Sequence, residues 1–227
     1  MAKIGFIGLG NMGGPMAAHL INANHQVKGF DVVSGCITRF KDKGGLVAKD
    51  ITDAASDVDI IITMLPAGDD VRDVYLGTSG ILGSANSKPL LIDCSTIDVE
   101  TARNVSNEAE KVDLLMLDAP VSGGVMGAEA ATLTFMVGGP EKAFKTAKPI
   151  LDLMGKNIIH AGGTGNGQVA KVCNNMILGI SMIGVSEAFV LAEKLGLDHQ
   201  KLFDVASTSS GQCWAITSYC PVPGPVP

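Results

Sequence analysis

The sequence predicts an α/β fold built on a parallel sheet and followed by one long helix, and three observations carry that prediction. Short apolar runs alternate with helical patterns from residue 4 to residue 160. A glycine-rich turn, Gly8-Leu9-Gly10-Asn11-Met12-Gly13, separates the first apolar run from the first helix. After a second glycine-rich segment, Gly162 to Gly167, strand signals stop and a mostly apolar helical stretch runs from Gln168 to about Leu195.

Each element can be justified in order. Ile4-Gly5-Phe6-Ile7 reads as a buried strand and Pro15–Ile21 as a helix, so the glycines occupy the strand–turn–helix position that a dinucleotide-binding G-x-G-x-x-G requires. Gly8 allows the tight turn, Gly10 lets backbone approach a pyrophosphate, and Gly13 lets helix and strand pack closely. The second strand, Gln26–Asp31, ends in a carboxylate 18 positions after the third glycine, where about 20 is expected for the residue that accepts hydrogen bonds from a ribose. Val32-Val33-Ser34-Gly35 offers no cation to a 2′-phosphate, which favours NAD over NADP. Then come a helix over Ile37–Lys43, strands at Leu46–Ala48 and Val58–Leu65, and a helix at Asp69–Tyr75. A strand at Pro89–Asp93, a polar helix at Val99–Val112 and a strand at Leu114–Asp118 follow. The series closes with a strand at Leu133–Val137, a helix at Glu141–Met154 and a last strand at Asn157–His160.

These elements divide the chain into a Rossmann-type dinucleotide-binding domain, 1–163, and the start of an all-α domain with a long connecting helix, 164–227. Gly162–Gly167 reads as a flexible link. Met176–Ala192, the most membrane-like stretch, contains Gly179, Ser181, Gly184, Ser186 and Glu187 and reads as a buried helix rather than a membrane span. Asp198 is placed to cap a further helix reaching about Ala206, and the proline-rich end from Pro221 cannot form regular structure.

Composition narrows the function. The chain is 46% hydrophobic and 18% charged, with 4% aromatics, so its core is built from aliphatic residues and methionine. A net charge of −6 argues against nucleic-acid binding. Five scattered cysteines without a C-x-x-C pair point to reduced thiols and an intracellular, cytoplasmic setting, or a mitochondrial one if a presequence has been removed. The four isolated histidines give no metal-ligand spacing, so no metal site is expected.

Ligands of an open α/β sheet bind beyond the carboxyl ends of its strands. Leu65 and Pro66, Thr96, and Ser122-Gly123-Gly124 all stand there. Leu65 and Pro66 can pack along a dinucleotide, while position leaves Thr96 open between cofactor contact and an ordinary turn. Ser122, Gly123 and Gly124 can hold a carboxylate on free N–H groups, or form a plain turn. Lys171 and Asn175 share one face of the long helix at i and i+4, with Asn174 beside them. Apolar neighbours would lower the lysine's pKa and suit it to exchange protons near neutrality; the alternative is a solvated helical lysine.

Four segments in order resemble the β-hydroxyacid dehydrogenase family: Gly5–Gly13, Asp118–Gly124, Gly165–Asn175 and Ser209–Trp214. The resemblance implies that Lys171 is catalytic and that Asn175 binds substrate beside it. It implies that Ser122, Gly123 and Gly124 hold the substrate carboxylate, and that Gly8, Leu9, Gly10, Asn11, Met12, Gly13, Asp31, Leu65, Pro66 and Thr96 contact NAD. The implied reaction takes 3-hydroxyisobutyrate to methylmalonate semialdehyde, a step of valine breakdown. A tartronate-semialdehyde-type reductase and a non-catalytic NAD-binding module remain as alternatives. The family pattern also implies further helices beyond residue 227, making this a C-terminally truncated chain, and a homodimer or homotetramer at full length. Two positions depart from the pattern: Ala131 stands where glycine is usual, and Asp70 where a relative has a cofactor-contacting asparagine.

Overall fold

The computed structural model describes residues 1–84 and 87–226. It forms two compact units, Met1–Lys171 and Val172–Pro227. The first alternates strands and helices: β1 (Lys3–Ile7), α1 (Gly13–Asn22), β2 (Gln26–Phe30), α2 (Ser34–Asp42), β3 (Leu46–Val47), α3 (Ile51–Ala55), β4 (Ile60–Thr63), α4 (Gly68–Leu76), α5 (Ile81–Ser84), β5 (Leu90–Asp93), α6 (Val99–Lys111) and β6 (Met116–Asp118). It continues with β7 (Val121–Ser122), α7 (Gly124–Glu129), β8 (Leu133–Gly138), α8 (Glu141–Leu151) and β9 (Gly155–Gly162). Then α9 (Asn166–Lys194) crosses the unit boundary, and α10 (His199–Ala206) and α11 (Trp214–Thr217) lie in the second unit.

One sheet organises the first unit. Its order is β3-β2-β1-β4-β5-β6-β8-β7, with β9 paired to β8. The strands from β3 through β6 are parallel. The chain winds outward from β1 in one direction and then from β4 in the other, which opens a crevice at the carboxyl ends of β1 and β4. β8 runs antiparallel to both β6 and β7. The central strands β1, β4, β5 and β6 are buried on both faces, as parallel strands between helical layers must be. Phe6, Ile62 and Leu117 pack on one side, and Ile7, Ile61 and Leu91 on the other.

The short elements α3, α5, β7, α7 and α11 carry too few residues for a periodic signal, and the sequence reading missed them. Two further expectations are corrected. The segment from Gly162 to Gly167 is no flexible link: Gly162 ends β9, and the Gly165 N–H donates to a buried Asp118 oxygen at 2.7 Å. The Met176–Ala192 stretch is not a buried helix, because apolar residues surround it and its one packed side covers only part of them. Val185, Phe189 and Ala192 are buried with Ala215 and Ile216, whereas Met176, Ile177, Ile180 and Ile183 are each more than half exposed. By length and composition α9 also qualifies as a membrane span. Its first turns, however, carry Asn166, Gln168, Lys171, Asn174 and Asn175, polar groups that a bilayer core disfavours. The expected cap of α10 is present, with Asp198 accepting from the Gln200 and Lys201 amides. Ala131 adopts φ +54°, the left-handed conformation that glycine enters without a Cβ penalty, so the glycine usual in the family matches the backbone found here.

Candidate active site

The glycine loop forms the wall at the carboxyl end of β1. Gly8 has φ +91°, and a Cβ there would run into the Met64 carbonyl of the neighbouring strand end. A Cβ on Gly13 would strike the Gly8 carbonyl, so the start of α1 can close onto β1 only with hydrogen at that position. Gly10 differs: a Cβ there would meet nothing within 4 Å, which leaves room for a ligand to approach the backbone. Among the described residues, no acceptor is bonded to the Asn11 and Met12 amides. They precede the first turn of α1, where the helix dipole favours an anion.

Asp31 is tied into this loop. Its Oδ2 accepts from the Leu9 amide at 2.6 Å and its Oδ1 from the Val33 amide at 2.7 Å. The Leu9 side chain is buried, and its backbone amide fixes the Asp31 carboxylate. A cleft beside the loop is lined by Gly10, Asn11, Cys36, Arg39, Lys43 and Val125. Val125 belongs to α7, so the cleft lies between the glycine loop, α2 and the helix that follows Ser122-Gly123. Gly123 and Gly124 have φ +134° and +62°, a pair of left-handed residues that only glycines adopt without strain. Arg39 and Lys43 come from α2 and its C-terminus, nearer to this cleft than the local sequence Val32–Gly35 could reveal.

A buried polar network lies beneath the remaining loops. Thr63, Asp93, Ser95, Asp118 and Gln168 are all buried. Asp93 Oδ1 accepts from the Thr63 hydroxyl at 2.7 Å and from the Ser95 hydroxyl at 2.6 Å. The Ser95 oxygen in turn accepts from the Leu65 amide at 2.9 Å, which sets the Leu65-Pro66 loop. Gln168 Nε2 donates to the Ser95 carbonyl at 2.7 Å, and its Oε1 accepts from the Ile97 amide at 3.2 Å. Thr96 stands exposed between those two gripped peptide groups. The Gln168 amide donates to Asp118 Oδ2 at 2.9 Å. Lys171 follows one turn later, half-buried, and that burial holds its ammonium pKa below the ordinary lysine value. Asn175 is exposed on the same helix, in the second unit.

Both carboxyls of this network are shifted upward. Burial pushes Asp93 up to about 6, against the hydrogen bonds from Ser95 and Thr63, and the neighbouring Asp118 adds to the rise. Among the described residues, its Oδ2 has no partner. Burial also raises Asp118, opposed by the Gln168 and Gly165 amides. No group of three or more His, Cys, Asp or Glu able to hold a metal occurs among the described residues.

Comparison with known proteins decides the family. A family model of the NAD binding domain of 6-phosphogluconate dehydrogenase matches residues 3–163. A second, for the NAD-binding of NADP-dependent 3-hydroxyisobutyrate dehydrogenase, matches residues 165–223. The 3-hydroxyisobutyrate dehydrogenase of Pseudomonas aeruginosa is 51% identical over 227 residues, covering 100% of this chain and 76% of the relative. The chain belongs to the 3-hydroxyisobutyrate dehydrogenase family. Its mitochondrial member from Rattus norvegicus is 47% identical over 97% of this chain and 66% of its own length. The structure of Mycobacterium tuberculosis 3-hydroxyisobutyrate dehydrogenase with L-serine superposes with a TM-score of 0.96, covering 100% of this chain and 77% of that one, at 51% identity. The chain is thus an NAD-dependent hydroxyacid dehydrogenase. Its glycine loop fits the cofactor, offering open space at Gly10 and unpaired amides at Asn11 and Met12.

The raised Asp93 value carries a stability consequence. The folded chain holds this proton up to about pH 6 and the unfolded chain only to the usual 3.8. The resulting stabilisation is therefore complete below about pH 4 and is lost as pH rises through about 6. Asp93→Asn, which cannot ionise, is expected to gain on the parent over that interval, by on the order of 3 kcal/mol. Denaturant unfolding measured from about pH 4 to about pH 7 checks this, and parallel profiles for the two proteins would refute it.

Proposed function

We propose that the chain catalyses the NAD-linked oxidation of 3-hydroxyisobutyrate to methylmalonate semialdehyde, with Lys171 as general acid and base, and serves valine breakdown. The observation that carries this reading is the placement of Lys171: half-buried, lowered in pKa, and one turn from the network that sets the strand-end loops. Bound NAD supplies the acceptor for the hydride released from the hydroxyl-bearing carbon. Lys171 takes the hydroxyl proton, and its partial desolvation makes the neutral amine accessible near neutrality. Ser122, Gly123 and Gly124 hold the carboxylate, through the serine hydroxyl and the N–H groups of the two left-handed glycines. Asn175 orients the substrate. L-serine, which accompanies the Mycobacterium tuberculosis relative, is itself a 3-hydroxy acid, in keeping with a small substrate of this class.

NAD rather than NADP follows from Asp31. Two backbone amides fix its carboxylate at the glycine loop, where a 2′-phosphate would face a second negative charge. Arg39 and Lys43 also line the cleft, but the Arg39 guanidinium donates to Cys36 Sγ on its own helix. Leu65, Pro66 and Thr96 complete the cofactor wall. The division into a cofactor domain, 1–163, and a helical domain, 164–227, suits this use. The bare apolar residues of α9 support self-association as a homodimer or homotetramer.

Lys171→Ala is expected to lower kcat for 3-hydroxyisobutyrate by about 10²–10⁴-fold, the usual worth of a general acid–base group, while NAD affinity by calorimetry stays near the parent's. An unchanged kcat would remove the lysine from the reaction. Asp31→Ser combined with Val32→Arg is expected to move the NAD/NADP ratio of kcat/KM toward NADP by at least about ten-fold. A ratio that does not move would show that Asp31 does not read the ribose.

A further inference from the structure

We propose that Gln168 is a positioning residue that locks the Thr96 cofactor loop to the first turn of the Lys171 helix. The inference rests on the reading above, in which Thr96 faces the cofactor and Lys171 moves the proton. Its basis is a two-point grip. The Gln168 side chain is wholly buried, and its single amide group donates to the carbonyl before Thr96 and accepts from the N–H after it. This is how a neighbouring strand would pair with that segment, here done by one side chain. At the other end, the Gln168 main-chain amide is bonded to the buried Asp118 carboxylate, so the grip is anchored to the end of β6.

The residue type is dictated by this geometry. A carbonyl and an N–H must be met by one planar group that carries both an acceptor and a donor, which leaves Gln and Asn. Asn is shorter by one methylene and falls short of the loop from the same helical position. Glutamate keeps the acceptor for Ile97 but, when ionised, opposes the Ser95 carbonyl with a second oxygen. Methionine fills the volume and makes neither bond. Lys171 lies three residues further along the same helix, so a displacement of the Gln168 turn displaces the lysine with it. Gln168 thereby holds the spacing between cofactor loop and proton-transfer group, without touching either reactant.

The test compares the parent with Gln168→Met and Gln168→Glu. In Gln168→Met, Ile97 amide hydrogen exchange is expected to accelerate and NAD affinity to weaken, each by about ten-fold or more, because both buried bonds are lost. Thr96→Ala is expected to weaken NAD binding in the parent and to add little in the Gln168→Met background, since the loop it acts through is already displaced. A purely structural glutamine would leave the two substitutions additive. Should Gln168→Met not fold, Gln168→Glu keeps the packing and the Ile97 bond, and is expected to weaken NAD binding without speeding Ile97 exchange. Ile97 exchange unchanged in Gln168→Met, or additive effects on NAD binding, would overturn the inference. Ile97 exchange is read without cofactor, so a parent that binds no NAD refutes the functional reading while the grip itself is still decided.

Discussion

The carboxylate of Asp118 is the constraint on which the rest of the site depends. It stands at the end of β6, and both of its oxygens are taken by backbone amides from the start of α9, those of Gly165 and Gln168. The first N–H groups of a helix have no partner within the helix, and a buried start must find one elsewhere. Here the partner lies 47 and 50 residues back in the chain, on the sheet. The anchor draws α9 so close that Gly138 and Gly167 have no room for a Cβ: one would strike Asp118 and the Gly167 amide, the other the Met136 and Asp118 carbonyls. Lys171 and Gln168 hold their places because that first turn does.

Energetically the anchor is a compromise. Burial raises Asp118 while the amides it accepts from lower it, and its carboxylate in turn adds to the rise of Asp93, which stands beside it on the paired strand. A buried charge of this kind is poor evidence for stability in itself. What it supplies is geometry: one fixed direction for the helix, from which the Gln168 grip and the exposed edge at Thr96 follow. The same logic recurs at Asp31, where two backbone amides hold a carboxylate at the glycine loop.

Much of this was legible in the sequence. The strand–turn–helix setting of Gly8–Gly13, the spacing to Asp31 and the alternation of strands and helices gave the parallel sheet, because each depends on residues close together in the chain. The anchor was not legible, since hydrogen bonds across 47 or more residues leave no local spacing to read. One sign was present: three apolar strand runs end in aspartate, at Asp31, Asp93 and Asp118, where a buried strand end would otherwise leave a carboxylate without reason. The exposed α9 face escaped the sequence for a different cause. A helix apolar all round announces that something covers it, yet does not say which side its own chain covers.

The measurement closest to the central claim is amide hydrogen exchange at Gly165 and Gln168 in the parent chain. If Asp118 anchors the start of α9, both amides exchange slowly, within about an order of magnitude of the Ile61 and Ile62 amides in the core strand β4. Exchange at Gly165 and Gln168 as fast as at Asn11 and Met12, whose amides lie open before α1, would contradict the account.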